Sequence, residues 1–140
     1  EFDSDDSTAT ISTIYGNKNG RTFVYAQEKG VNAAGSAMTA YIESGDIDIA
    51  DGDQFMSISR FIPDFKNQTG TVDVTVKSRP YPASSQTTNG PYAITTSTTK
   101  QDTRIRGRQL ALRVGSDAVD EDWRYGTMRF DGKPDGLRGG

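Results

Sequence analysis

The 140-residue chain contains no cysteine and no histidine, and these two absences remove more chemistry than any motif adds. Without cysteine there is no disulfide framework, no thiolate nucleophile and no cysteine-ligated zinc. Without histidine the commonest general base and the commonest transition-metal ligand are gone. Long hydrophobic runs are missing too, and nothing approaches the roughly 18 consecutive apolar residues of a membrane-crossing helix. Apolar residues are scarce altogether, at 33% against the ~45–50% usual in globular domains.

Their place is taken by 12 serines, 16 threonines and 15 glycines. The branched Cβ of threonine suits a pleated surface, while serine and glycine suit turns. This is the composition of short strands joined by many loops, not of a helical bundle. The length suits one domain, or a smaller domain with an arm, and a core can form at this size without disulfides or a structural metal. The net charge of -3 is unevenly spread, with residues 1–70 acidic and residues 71–140 basic. Such an imbalance predicts one acidic and one basic face, which can orient a subunit in an assembly. The opening Glu1-Phe2 reads as a restriction-site remnant, so the chain is expected to be a fragment of a longer protein.

Along the chain, residues 1–8 read as loose and Ile11, Ile14 and Tyr15 give the first apolar signal, followed by a turn over residues 16–20. Residues 22–26 read as a strand, residues 29–35 as a loop, and residues 37–44 and 47–49 as strands. Residues 54–62 carry apolar side chains on both faces until Pro63 ends the run. A turn is predicted at residues 67–70. Val72, Val74 and Val76 then alternate with Asp73, Thr75 and Lys77, the pattern of a half-buried strand. A polar loop over residues 83–90 precedes strands at 92–99, 104–114 and 122–131. Parity switches at Gly107 and Gly126 suggest bulges. Residues 132–140, rich in glycine, are expected to leave the fold. Strands at this spacing with no helix between them predict an all-β antiparallel sandwich or barrel-like module over residues 36–140. Residues 1–35 would be an extended N-terminal arm or the remnant of a preceding domain. Val72, Val74, Val76, Leu110, Leu112 and Trp123 are its predicted core.

Several constellations invite a chemical reading. The acids Asp46, Asp48, Asp51 and Asp53 around Gly52 offer the oxygen ligands a calcium ion wants. Against the helix-loop-helix calcium pattern, however, Ala50 stands where a third acid belongs and position twelve is Ser57. No metal and no cofactor is expected. Arg104, Arg106 and Arg108 alternate and so should share a strand face; the forks suit phosphate or carboxylate. The acidic balance of the chain argues against specific nucleic-acid binding, leaving subunit contacts, or pairing with Asp117, Asp120, Glu121 and Asp122, as the expectation. Trp123 and Tyr125 read either as a sugar platform or, preferably, as core or interface aromatics. Neither Ser-x-x-Lys nor Gly-x-Ser-x-Gly occurs, and no catalytic residue is assigned.

Four stretches in order carry a resemblance: residues 61–65, the run 72–82, Asp102-Thr103-Arg104-Ile105-Arg106-Gly107-Arg108-Gln109, and Trp123-Arg124-Tyr125-Gly126 with the ending Arg129-Phe130-Asp131-Gly132-Lys133-Pro134-Asp135-Gly136. Together they resemble the C-terminal region of virion structural proteins of tailed bacteriophages, over about residues 42–137. The resemblance implies a non-enzymatic tail or head–tail component, of tail tube, hub or nozzle type, that assembles with other virion subunits as a homo-oligomer and does not enter membranes. Arg104, Arg106, Arg108, Phe55 and Phe61 are the candidate contact residues. The alternative is a host-recognition module for a surface glycan or protein receptor, for which Tyr81 and Tyr92 would be loop-tip aromatics.

Overall fold

A computed structural model of the chain describes residues 14–18, 21–25, 30–33, 35–49 and 54–137. The expectations for residues 1–8, Ile11, Asn19, Gly20, Asp51 and Asp53 lie outside them. The first strands, β1 (Ile14–Lys18) and β2 (Arg21–Tyr25), pair with each other, Lys18 opposite Arg21. The strand thus runs through Gly16 and Asn17, which the sequence assigns to the turn. Only two residues, an Asn-Gly dipeptide, separate the paired ends, the length and composition that tight hairpins prefer.

Ten more strands follow: β3 (Ala40–Glu43), β4 (Ile47–Asp48), β5 (Gln54–Ile62), β6 (Phe65–Thr69), β7 (Val72–Arg79), β8 (Thr87–Ile94), β9 (Gln101–Gly107), β10 (Gln109–Ser116), β11 (Asp122–Tyr125) and β12 (Arg129–Leu137). No helix occurs among the described residues, and every strand pairing is antiparallel. One sheet has the order β3-β10-β7-β8, with β4 also paired to β10; a second has the order β12-β5-β9; β11 and β6 form a short pair. The fold is the all-β, sandwich-like architecture that the sequence predicts.

The two larger sheets share one core. Val72, Val74 and Val76 of β7 are fully buried and cluster with Ile58 and Phe61 of β5, Ile105 of β9, Ile94 of β8 and Val114 of β10. Each such side chain contributes about 1.5–3 kcal/mol by leaving water. Tyr92 on β8 closes one side. Its ring meets Phe61 edge-on at 5.5 Å, and its hydroxyl shares a 2.6 Å hydrogen bond with Thr103 on β9. Leu110, Leu112 and Trp123, expected inside, pack against the core but are only half-buried. Three strands face a wider sheet, so the inner face near β3 and β4 is left partly uncovered.

The sequence locates breaks better than it interprets them. Gly107 does not mark a bulge within one strand: β9 and β10 belong to different sheets, and only Arg108 lies between them. The corner is tight, since a Cβ on Gly107 would stand 3.0 Å from Ser78 Cβ and 3.1 Å from the Arg79 carbonyl. Arg108 donates its N–H to the Arg79 carbonyl and accepts from the Ile49 N–H, both at 2.9 Å. Gly126 likewise separates β11 from β12, and a Cβ there would lie 2.2 Å from the Asp64 carboxylate.

Other boundaries shift for local reasons. Asn67, Gln68 and Thr69, expected in a turn, belong to β6, and the chain bends at Gly70. Residues 87–90 belong to β8 rather than to a loop. Pro91 is tolerated because β8 is an edge strand. That strand stops at Ile94, where Thr95 and Thr98 bond each other instead of a neighbouring strand. Residues 132–137 do not leave the fold: they run beside β5 as part of β12, again at an edge, where Pro134 opposite Met56 costs little. In β5 a register shift between Ile58 and Arg60 lets both Ile58 and Phe61 face inward, which explains its two-faced pattern. Contacts with the sandwich begin before residue 36: the Asn32 side chain donates to Asp120 Oδ1 at 2.6 Å and accepts from the Asp120 N–H at 2.8 Å.

Candidate interaction surface

Strand β9 buries Ile105 and turns Arg104 and Arg106 outward. The Arg106 guanidinium lies 4.1 Å above the Phe55 ring. Its Nε donates to Asp135 Oδ2 at 2.7 Å and its Nη2 to the Asp135 carbonyl at 2.9 Å. On the same face Arg60 is flanked in register by Asp102 and Asp131, and pairs with Asp131 at 2.9 Å. Arg104, Arg129 and Lys133 are exposed and make no ion pair among the described residues. The outer face of this sheet is therefore mixed in sign with basic charge in excess. The acids Asp117, Asp120, Glu121 and Asp122 do not serve it; they occupy the connection from β10 into β11.

Two of the five candidate contact residues leave the surface. Arg108 does not share the face of Arg104 and Arg106, because the strand ends at Gly107; it sits at the corner between the sheets, 6% exposed. Phe61 is wholly inside the core. Phe55 stays half-buried beneath Arg106.

Exposed apolar surface lies elsewhere. Tyr41, Ile42 and Ile47 are 56%, 48% and 58% exposed, with Met38 beside them. They lie along β3 and β4 at the edge of the larger sheet, Ile42 (opposite Val114) and Ile47 (opposite Leu110) on the inner face that the smaller sheet leaves uncovered, and Tyr41 (opposite Gly115) on the outer face. Other edges are blunted: β8 contains Gly90 and Pro91, β12 contains Gly132, Pro134 and Gly136, and β9 carries Asp102, Arg104 and Arg106. Strand β3 has no glycine, proline or lysine, and among the described residues no strand pairs with its outer side, so the backbone groups there are open to pairing. Its one charge, Glu43, is occupied by Lys77 and, at 2.9 Å, by Arg113. Local sequence pattern holds no signal for this edge, because exposure there depends on the width of the opposing sheet.

The bonds from Lys77 and Arg113 hold the Glu43 carboxyl below its ordinary value. A depressed carboxylate supplies stability above the unfolded pKa, lost as pH falls through the folded one. Glu43→Gln should therefore flatten the melting temperature against pH on the acid side, below about pH 4.5, measured by scanning fluorimetry. A variant curve parallel to wild type there would refute the assignment.

The described acids of this run, Asp46 and Asp48, are engaged by neighbouring side chains. Asp46 pairs with Arg79 at 2.9 Å and accepts from Gln86 at 3.1 Å, and Asp48 accepts from Gln109 at 2.7 Å. Among the described residues no three acids group as a metal site. Calcium should leave the melting temperature unchanged; a bound ion would add about 2.7 kcal/mol at a hundred times its dissociation constant. Trp123 and Tyr125 both stand edge-on to Phe65 at 6.0 Å, and the Trp123 indole donates to Ser116 Oγ at 2.9 Å. They form an aromatic cluster, not a flat sugar platform.

Searches against protein-family models and against curated proteins returned no match for this chain.

Proposed function

We propose that this chain is a structural assembly module of the tailed-phage virion type, which works by contact with copies of itself and neighbouring subunits. The observation that carries the reading is the unblunted β3 edge with Tyr41, Ile42 and Ile47 exposed along it. Pairing a second strand there would satisfy backbone groups and cover apolar surface together. The excess basic charge around Arg104 and Arg106, set against the acidic connection at residues 117–122, supports an oriented, head-to-tail arrangement, with charge setting register and association rate. The resemblance of residues 42–137 to phage structural proteins supports the same reading, with the virion as location and no enzymatic role.

Sedimentation of the 140-residue chain over a concentration series tests it. Reversible self-association should appear at high concentration. Ile42→Lys should abolish it by charging the edge, and Arg104→Glu with Arg106→Glu should weaken it most at low salt. A strict monomer at millimolar concentration would overturn the reading. Receptor binding is the second reading, favoured by Tyr81, which is 55% exposed at the turn between β7 and β8. It predicts that Tyr81→Ala in the parent particle leaves assembly normal and impairs adsorption to cells.

A further inference from the structure

The outer face of the larger sheet holds a hollow of about 190 Å³. Register explains why it is recessed. Asp73 on β7 lies between Gly115 on β10 and Ala93 on β8, so no bulky side chain stands beside it. Gly115 cannot grow: a Cβ there would meet the Ala40 carbonyl and Tyr41 Cβ at 2.9 Å. Tyr41, Thr75, Pro91, Arg113 and Asp117 wall the hollow.

Asp73 differs from the other acids that border this sheet. Glu43, Asp46 and Asp48 each accept a hydrogen bond or an ion pair from a neighbouring side chain. Asp73 has no such partner among the described residues. Burial first, then the charges of Asp117 and Glu121, push its carboxyl above the ordinary value. The hollow is thus a small recess with oxygen acceptors lacking donors, one aromatic ring and threonine hydroxyls. An apolar occupant would desolvate Asp73 without bonding it. A cationic occupant would stand beside the Arg113 guanidinium, which lies 3.8 Å above the Tyr41 ring. A neutral polyol meets neither obstacle. Its hydroxyls can donate to Asp73 and Asp117 and its C–H face can lie against Tyr41. The volume is below the about 300–1,000 Å³ of drug-sized pockets, which suits a single sugar ring.

We infer that the hollow formed by Asp73, Gly115, Tyr41, Thr75 and Asp117 is a subsite for one ring of a neutral saccharide. It shares Tyr41 with the β3 edge of the assembly reading but rests neither on that reading nor on Tyr81. Amide NMR titration of the 140-residue chain with glucose, galactose, mannose and N-acetylglucosamine tests it, with free arginine as a separate arm. At least one sugar should shift the amides of Tyr41, Asp73 and Gly115 saturably. Thr75→Leu, which puts a larger apolar side chain in the wall of the hollow, and Asp73→Asn should each weaken that binding about tenfold or more with the spectrum otherwise dispersed as in wild type. The inference is overturned if no sugar shifts these amides, if the variants bind as wild type, or if arginine shifts them at lower concentration than every sugar.

Discussion

Val74→Asp is expected to unfold the domain, while Asp73→Ala, one residue away, should change stability by no more than about 0.5 kcal/mol. Val74 is fully buried and sits in register between Val114 and Tyr92. An aspartate there would place a carboxylate among Val72, Val76, Phe61 and Ile105 with no cation to meet it. An uncompensated buried charge costs several kcal/mol, and the lost valine contacts add to it, against a typical total stability of about 5–15 kcal/mol. Asp73 faces the hollow on the opposite side, where removal of its charge relieves repulsion from Asp117 and Glu121. Urea denaturation of the two variants beside wild type reads the contrast. Equal behaviour would mean that β7 does not present alternate residues to opposite faces.

Phe61→Ala is expected to cost about 3–5 kcal/mol, and Phe55→Ala about 1 kcal/mol or less, the scale of an exposed cation–π contact. Phe61 fills the space between Tyr92, at 5.5 Å, and Phe130, at 6.1 Å between ring centroids. Its loss leaves a cavity that the two sheets cannot close without breaking their shared core. Phe55 offers one face to Arg106, which retains Asp135 when the ring is gone. Chemical denaturation separates these values. If Phe61→Ala proved as mild as Phe55→Ala while self-association was lost, Phe61 would be a surface contact after all.

The same pair shows how far the sequence could be read. Phe55 and Phe61 look alike in a strand with apolar residues at both parities, and only the register shift after Ile58 tells them apart. That shift depends on β9, more than forty residues later in the chain. By contrast β7 is legible at once, because Val72, Val74 and Val76 alternate with polar residues and β10 beside it keeps that period along the whole pairing, the one shift falling on the β8 side between Val74 and Val76. Arg104 and Arg106 were legible as one face for the same reason; Arg108 was not, because Gly107 ends the strand where an unbroken pattern would have carried it on. The residues that wall the hollow, Tyr41, Asp73 and Gly115, come from three separate strands. None of them stands out in its own stretch, and their meeting is a product of pairing alone. Glycine and proline in residues 132–137 looked like an exit from the fold, yet an edge strand accommodates both.

The corner at Gly107 has a mechanical meaning. Only Arg108 separates the basic strand β9 from β10, and the backbone of Arg108 is bonded to Arg79 and Ile49. Tension applied at Arg104 and Arg106 would pass to β10 with one residue of slack. Strand β10 is held on one side by β7 and on the other by β3 and β4, so the pull is shared among several ladders before any single one must yield. A subunit gripped at one face and at the far edge of the other sheet would therefore carry load through its middle, as a tie-bar does.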